Sequence, residues 1–507
     1  MYTEAKNKYS QLESDRHPYL ERARDCARLT IPTIMPDEGN NSSTRYSTPW
    51  QSVGARGVNN LASSLLLSLL PPNAPFFRLV IDDEALKEIE GIENVKAEID
   101  QSLSSIERAV MKEIETNSVR VAVFEALKHL LITGNVLLYF PPEGQARVFH
   151  LNRYVVERDP NGNAKKIITK ETVSPSGLSE EVLALINPQS LNNNTIDLFT
   201  CIHYLPNKKV EVYQEIDGQE VPGSRGTYNQ DKSPYILLRM NRVEGEHYGR
   251  GYVEQYLGDL KSLEALSMSI VEGTAAAAKV LFLVNPNGTT RAKSLAQSSN
   301  GAIVEGNAQD VSVLRVEKSA DFQVALALQK EVQQRLSYAF MLQESTIRDA
   351  DRVTAAEIRL ITNSLERALG GIYSLLSQEF QLPLVGRLMD RMAKNKRLPK
   401  LPKKFISVAV ITGIDALGRG TDLDRLDLYL QGMAQVFGPE SIGQFVNVRE
   451  YLKRRASALG IDIEGLIKSE EQIQAEMQQQ QEQAVVQQFG SQAMDIANQQ
   501  ALAQQKG

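Results

Sequence analysis

Two stretches of helix-period hydrophobicity flank a short charged run, QESTIRDADRV at 343–353, and this arrangement constrains the fold more than any other feature. Leu328, Val332, Leu336, Ala339 and Phe340 share one face of a helix expected over 319–342. Thr354 and Glu357 form a capping box for the next helix, which Ile358, Ile361, Leu365, Ile372 and Leu375 carry to about Met392. Gly370-Gly371 and Pro383 mark kinks within it. Such a rod would be roughly 60 Å long, too long for an ordinary compact domain. The run between the helices lacks Gly and Pro, although a plain turn needs only Gly or Asn.

The rest of the chain is mixed. A polar helical start gives way to a loop, and TPWQSVGARGVNNLASSLLLSLLPP reads as a helix. Thr48 is its expected N-cap, Pro49 its first residue and Gln51 the partner in a capping box; Pro71 and Pro72 stop it. A second helix carries Ile92 to Ile114 at helical spacing, and a third runs from Val119 to Ile132, ending at Gly134. Strands follow: NVLLYF, RVFHL, YVVERD and KKIITKETV, with Asn161-Gly162 as a hairpin turn, then DLFTCIHYL, KVEVYQEI and PYILLRM. The first 245 residues are therefore expected to be α+β. A helix resumes near Tyr252, and a compact segment with strand character occupies 281–317. The Gln-rich end, from about 469, has the composition of a partly disordered tail.

Chemistry is hard to find. The chain has no phosphate-binding GxxxxGK[ST] loop, no HExxH and no paired CxxC. Five histidines fall at no ligand spacing, and His129, among Leu127, Leu130 and Leu131, reads as a buried structural residue. Cys26 and Cys201 are read as reduced thiols in a cytosolic setting. The 62 acidic residues form no cluster above background that would hold a metal. The longest apolar run is too short to span a membrane, and the start lacks a signal-peptide pattern. A net charge of -6 argues against a protein that grips nucleic acid over a broad basic surface, but not against one that lets it slide past. No catalytic residue, metal or cofactor is nominated. A DNA-processing enzyme (nuclease or ATPase) and a generic oligomeric scaffold are both open on this reading of the residues.

The blocks TPWQSVGARGVNNLASSLLLSLLP, FEALKHLLITGNVLLY, HYGRGYVEQYLGDLKSLE, RLSYAFML and ALGGIYSLLSQEFQLPLV closely resemble the head-to-tail connector, or portal, proteins of short-tailed podoviruses of the autographivirus type. They occur in that family's order, and the resemblance runs to about residue 470. It implies an α+β portal fold assembled as a ring, expected to hold twelve copies, at one capsid vertex of the virion, with the chain made in the bacterial host cytoplasm. Residues 1–248 would be the α+β wing, 249–280 and 318–342 the stem helices, 281–317 the clip and 343–353 the tunnel loop. Residues 354–400 would be the long wing helix, 401–468 the C-terminal wing and crown region, and 469–507 the tail.

The same resemblance implies double-stranded DNA passing through the axis. Terminase and then the tail adaptor would dock at the clip, and scaffold, major capsid and internal core proteins would meet the ring elsewhere. The tunnel loop would face the channel with Glu344, Arg348, Asp349, Asp351 and Arg352. Arg291 and Lys293 would lie at the partner-facing end of the clip. The two stem helices would pack on neighbouring subunits through their apolar faces, Val332 among them.

Overall fold

The computed structural model describes residues 4–36, 43–72, 76–81, 95–187, 194–277, 281–314, 319–342, 355–369, 371–398, 408–412, 419–438, 445–448, 451–452 and 455. The chain divides into two compact units, Met1–Ala416 and Leu417–Gly507.

The first unit opens with α1 (Glu4–Arg28), α2 (Val53–Leu69), β1 (Phe77–Ile81), α3 (Val95–Thr116) and α4 (Val119–Thr133). In α2, Val58, Leu61, Leu65 and Leu69 point inward at the spacing read from the sequence, and all are fully buried. The start of α2 differs from the expected capping box at Thr48. Glu264 takes the backbone N–H of Trp50 at 2.9 Å and that of Gln51 at 3.2 Å, which keeps these residues out of the helix. Gln51 then caps from outside: its Oε1 accepts from the Gly54 N–H at 2.9 Å, while its Nε2 donates to the Leu29 carbonyl at 2.7 Å. α4 ends at Gly134 as its sequence indicates.

Strands β2 (Asn135–Tyr139), β3 (Arg147–Phe149), β4 (Tyr154–Arg158) and β5 (Ala164–Val173) follow. After the short helix α5 (Glu180–Leu183) come β6 (Ile196–Tyr204), β7 (Lys209–Ile216), β8 (Gln219–Glu220), β9 (Gly226–Asn229) and β10 (Tyr235–Arg239). They form an antiparallel sheet in the order β4-β5-β6-β7-β8, with β9 also on β7, and a second sheet ordered β10-β2-β3. The hairpin at Asn161-Gly162 joins β4 to β5, with Gly162 at φ 83.

Alternation along the large sheet sends its two faces to different cores. Val156, Ile167 and Ile202 join the main core with α2 and α4, whereas Val155, Ile168 and Cys201 pack with Tyr9 and Leu12 of α1. Arg16 of α1, fully buried, ties the layers by donating to the carbonyls of Leu151, Asn152 and Tyr154 at 2.9–3.0 Å.

Beyond the sheets lie α6 (Leu257–Ala277), β11 (Leu281–Val284), α7 (Ala292–Gln297), β12 (Val311–Leu314) and α8 (Ser319–Ala339). The single long helix expected from Thr354 to Met392 is instead three: α9 (Ala355–Leu369), α10 (Ile372–Leu376) and α11 (Leu382–Lys394). Gly371 breaks the first junction at φ 87, a conformation that costs little only for glycine. The second is a π-helical turn, Ser377–Gln381. Pro383 cannot donate to the carbonyl four residues back, and the widened turn ahead of it absorbs that mismatch. The bends let this region wrap the core. Tyr373 and Gln381 donate to the Ser68 and Leu69 carbonyls at 3.2 and 2.6 Å, closing the end of α2. Arg387 donates to the Phe140 carbonyl, and Arg391 pairs with buried Glu113 at 2.9 Å. β13 (Val408–Thr412) pairs antiparallel with β1.

In the second unit, α12 (Arg419–Phe437) carries Asp427, which accepts the Tyr451 hydroxyl at 2.6 Å. The Gln-rich tail lies outside the described residues.

Candidate functional site

The region the sequence singles out is a two-helix ribbon, α6 and α8, with a hairpin beyond it. The helices run antiparallel. Asp259 meets Arg335 at 3.0 Å, Ser267 accepts from Gln329 at 3.0 Å, and the Phe322 ring lies on Gly273, where a Cβ would collide with it. As one helix ascends, its partner descends. At the end near the body, Leu260, Leu263, Val332, Leu336 and Phe340 are buried in the main core. Val332, 2% exposed, thus faces its own subunit, contrary to the expected contact with a neighbour. Two helices alone cannot cover their outer surfaces, and Met268, Val271, Val324, Leu326 and Leu328 are left exposed, Val324 at 70% and Leu328 at 47%.

The root of α8 is clamped. After Ala339 the chain turns through Met341 at φ 54, and the Leu342 N–H returns to the Ser337 carbonyl at 2.9 Å. Three successive carbonyls there receive side-chain donors. The Tyr252 hydroxyl binds that of Ala339 at 2.9 Å, and Asn60 Nδ2 binds those of Phe340 and Met341 at 3.0 and 3.1 Å. Tyr252, Tyr256 and Phe340 pack ring against ring, with centroids 5.2–6.2 Å apart. The next segment holds Glu344, Arg348, Asp349, Asp351 and Arg352, and all five lie outside the described residues.

At the far end, β11 and β12 pair antiparallel from Leu281↔Leu314 to Val284↔Val311. Asp310 organises the tip: its carboxylate accepts the N–H groups of Thr289 at 2.8 Å and Thr290 at 3.0 Å, and the Thr289 hydroxyl at 3.2 Å. The Thr290 N–H bond leads in holding its pKa below the usual carboxylate value. Thr290 also donates to the Asn307 carbonyl at 3.1 Å. Arg291 stands at the N-cap position of α7 without a side-chain cap bond and Lys293 lies within the helix; both are exposed on the hairpin tip.

His129 is buried and neutral, as its sequence context indicates. Burial, with His150 and Lys128 nearby, lowers its pKa to about 3. Cys26 and Cys201 are both buried, and neither forms a disulfide among the described residues. Among the described residues no group of three or more His, Cys, Asp or Glu is placed to hold a metal, and no helix is long and apolar enough to cross a membrane. Asn60, Glu264 and Asp310 escaped the sequence reading, because their partners lie from 20 to 281 residues away and no local pattern announces them.

Comparison with known proteins assigns the chain. The family model of bacteriophage head to tail connecting proteins matches residues 2–467. The portal protein of Escherichia phage T7 is 43% identical over 486 residues, covering 94% of this chain and 90% of the relative. That of Enterobacteria phage T3 is 42% identical over 484 residues, with the same coverage of both chains. That of Pseudomonas phage phiKMV is 31% identical over 477 residues, covering 92% of each. Among solved structures, a chain from the neck of an empty GTA particle aligns with TM-score 0.38 at 14% identity, covering 81% of this chain and 90% of that one. On the family match and the identities over almost its whole length, the chain belongs to the family of bacteriophage head to tail connecting proteins and is a portal protein of the T7-like short-tailed type.

Proposed function

We propose that copies of this chain close into a ring, expected to hold twelve, at one vertex of the phage head, and that double-stranded DNA enters and leaves through its axis. The observation that carries this reading is the exposed apolar surface of the outer ribbon. Outward of Leu263 and Val332 the helix pair buries no large hydrophobic side chain among the described residues, yet it presents Met268, Val271, Val324, Leu326 and Leu328. Apolar side chains exposed on both helices of a thin element call for neighbours, and a head-to-tail contact that closes on itself supplies them. In this reading the ribbon is the stem, the 281–317 segment the clip and the 343–353 segment the tunnel loop.

The chain's charge suits a conduit. Each phosphate neutralised by a fixed cation adds salt-sensitive affinity, and a basic channel repeated around a ring would hold DNA rather than pass it. A chain with 62 acidic against 56 basic residues avoids that. Its role is structural rather than enzymatic: nucleating head assembly with scaffold, capsid and internal core proteins, docking terminase during filling and the tail adaptor afterwards. Negative-stain images of the purified protein test the proposal. Rings with an open axial hole are expected, without ATP hydrolysis or DNA cleavage by the same sample. Monomers at assembly concentrations, or particles without a hole, would overturn it.

A further inference from the structure

We propose that Arg158 and Arg239 form a receptor for a phosphate-class oxyanion on the α+β body, separate from the ribbon and the hairpin. The two side chains come from the ends of strands in different sheets, β4 and β10, and converge on one neutral acceptor. Arg158 Nη1 donates to the Gly162 carbonyl at 2.9 Å and Arg239 Nη2 donates to the same oxygen at 3.0 Å. Arg158 Nε is fixed on the His247 carbonyl at 2.8 Å, and Arg239 Nη1 reaches the Glu246 carbonyl at 3.4 Å. Arg239 is only 6% exposed and Arg158 is half-buried.

Among the described residues no carboxylate lies within ion-pair distance of either guanidinium, although acids surround them. Asp159 is turned to its own turn, accepting the Asn163 N–H at 2.8 Å and Nδ2 at 3.0 Å. Glu246 is held by Arg250 at 2.6 Å, and Glu379 is taken by a third arginine, Arg242. Two guanidiniums, both still protonated, are thus placed side by side with only carbonyl oxygens for partners. Burial, and then repulsion from Arg239, pushes the pKa of Arg158 down to about 10. Buried charge is tolerated where an opposite charge answers it, and among the described residues none does. Arg158 Nη2 has no acceptor among the described residues. The N–H groups that these carbonyls leave unused, Arg158 Nη2 first among them, are presented from different strands and suit the separate oxygens of one tetrahedral anion, whereas a single carboxylate is matched by one arginine. The source is either free phosphate or the phosphodiester of a nucleic acid.

Calorimetric titrations of the full-length protein, in chloride buffer of fixed ionic strength, separate the outcomes. The probes are inorganic phosphate, a short duplex DNA and a Glu-rich peptide. The variants are Arg158→Lys, which keeps the charge and removes the fork, and Arg239→Gln. The proposal expects phosphate or DNA to bind, to raise the thermal midpoint, and to bind about tenfold or more weakly to folded Arg158→Lys. Binding of phosphate alone identifies the free anion as ligand, and binding of DNA lost in the variant identifies the phosphodiester. Three results would overturn it: no binding by wild type, binding of the peptide alone, or affinity unchanged in Arg158→Lys. In each case the arginines serve only to fasten the Gly162 turn to the 246–247 loop.

Discussion

Asn60, in the middle of α2, donates its side-chain amide to both the Phe340 and the Met341 carbonyls, at 3.0 and 3.1 Å. Met341 sits at φ 54, a left-handed conformation that costs a non-glycine residue about 1–2 kcal/mol. The amide thereby holds the strained residue from which the chain leaves α8. Asn60→Ala leaves two carbonyls short of a donor and is expected to cost about 1–3 kcal/mol. Asn60→Asp is nearly isosteric but sets an anion against the same carbonyls, so it should cost more. Thermal midpoints should fall in the order wild type, Ala, Asp. An Asp variant as stable as wild type would show that the clamp does not hold α8.

What could be read from sequence follows from how local each signal is. Val58, Leu61, Leu65 and Leu69 declare a helix because period and burial coincide within one segment. The Asn161-Gly162 turn is equally local. The start of α2 is not legible locally, because Glu264, more than 200 residues away, captures the Trp50 and Gln51 N–H groups that a capping box at Thr48 would use. Gly370-Gly371 and Pro383 announce bends in the helix after 354, and its breaks fall at Gly371 and ahead of Pro383; the π-helical turn between them has no sequence signature. Val332 and Leu328 are both apolar at helical spacing, and only the fold separates the one facing inward from the one facing out.

Acid should weaken the body through two stacked histidines. The His129 and His150 rings lie 6.3 Å apart, and burial leads in lowering their pKa values to about 3 and about 4. Glu125, 4.0 Å from His129, is too exposed to hold a proton on the ring. Each folded-state value lies below the unfolded value near 6.5, so the unfolded chain binds more protons between them. Stability is fully present above pH 6.5 and is lost as pH falls. From pH 7 to 5 each histidine is expected to cost about 2 kcal/mol. Denaturant unfolding of wild type and His129→Leu at the two pH values checks this. A gap between them that does not change with pH would mean that His129 is not held neutral.

The hairpin tip should be separable from ring formation. Asp310 gathers Thr289 and Thr290 into one turn, and Arg291 and Lys293 project beside it. Deleting Thr289–Ser299 is expected to leave rings intact while abolishing binding of the terminase or tail adaptor. Pull-down of each partner by the purified ring measures this. Retained binding of both would remove the hairpin from the partner surface.

The run 343–353 carries Arg348 and Arg352 against Glu344, Asp349 and Asp351, a sum of -1 per copy. Repeated around a ring, such belts would let arginine touch phosphates briefly while the acids limit how tightly DNA is held. Arg348→Ala combined with Arg352→Ala is expected to leave rings assembled and to impair DNA packaging or retention. Particles that fill and keep their DNA like wild type would show that these arginines do not act on it.

Val332 and Leu328 lie four residues apart on α8, and the ring proposal gives them opposite fates. Val332 is buried against its own subunit, so Val332→Asp places an unpaired charge in the core. It should cost about 3 kcal/mol or more and yield misfolded or aggregated chain. Leu328 is 47% exposed in the single chain and Val324 70%, so an Asp at either should leave the subunit's stability nearly unchanged. In a ring, the same substitution buries a charge at every repeated interface, and the penalty multiplies with the number of copies. Val324→Asp with Leu328→Asp is therefore expected to give folded, soluble subunits that fail to assemble. Circular dichroism and sizing chromatography, run on both variants, read the two effects separately. Normal rings from the double variant would place the subunit contact elsewhere. A folded Val332→Asp chain that merely fails to assemble would return that residue to the interface.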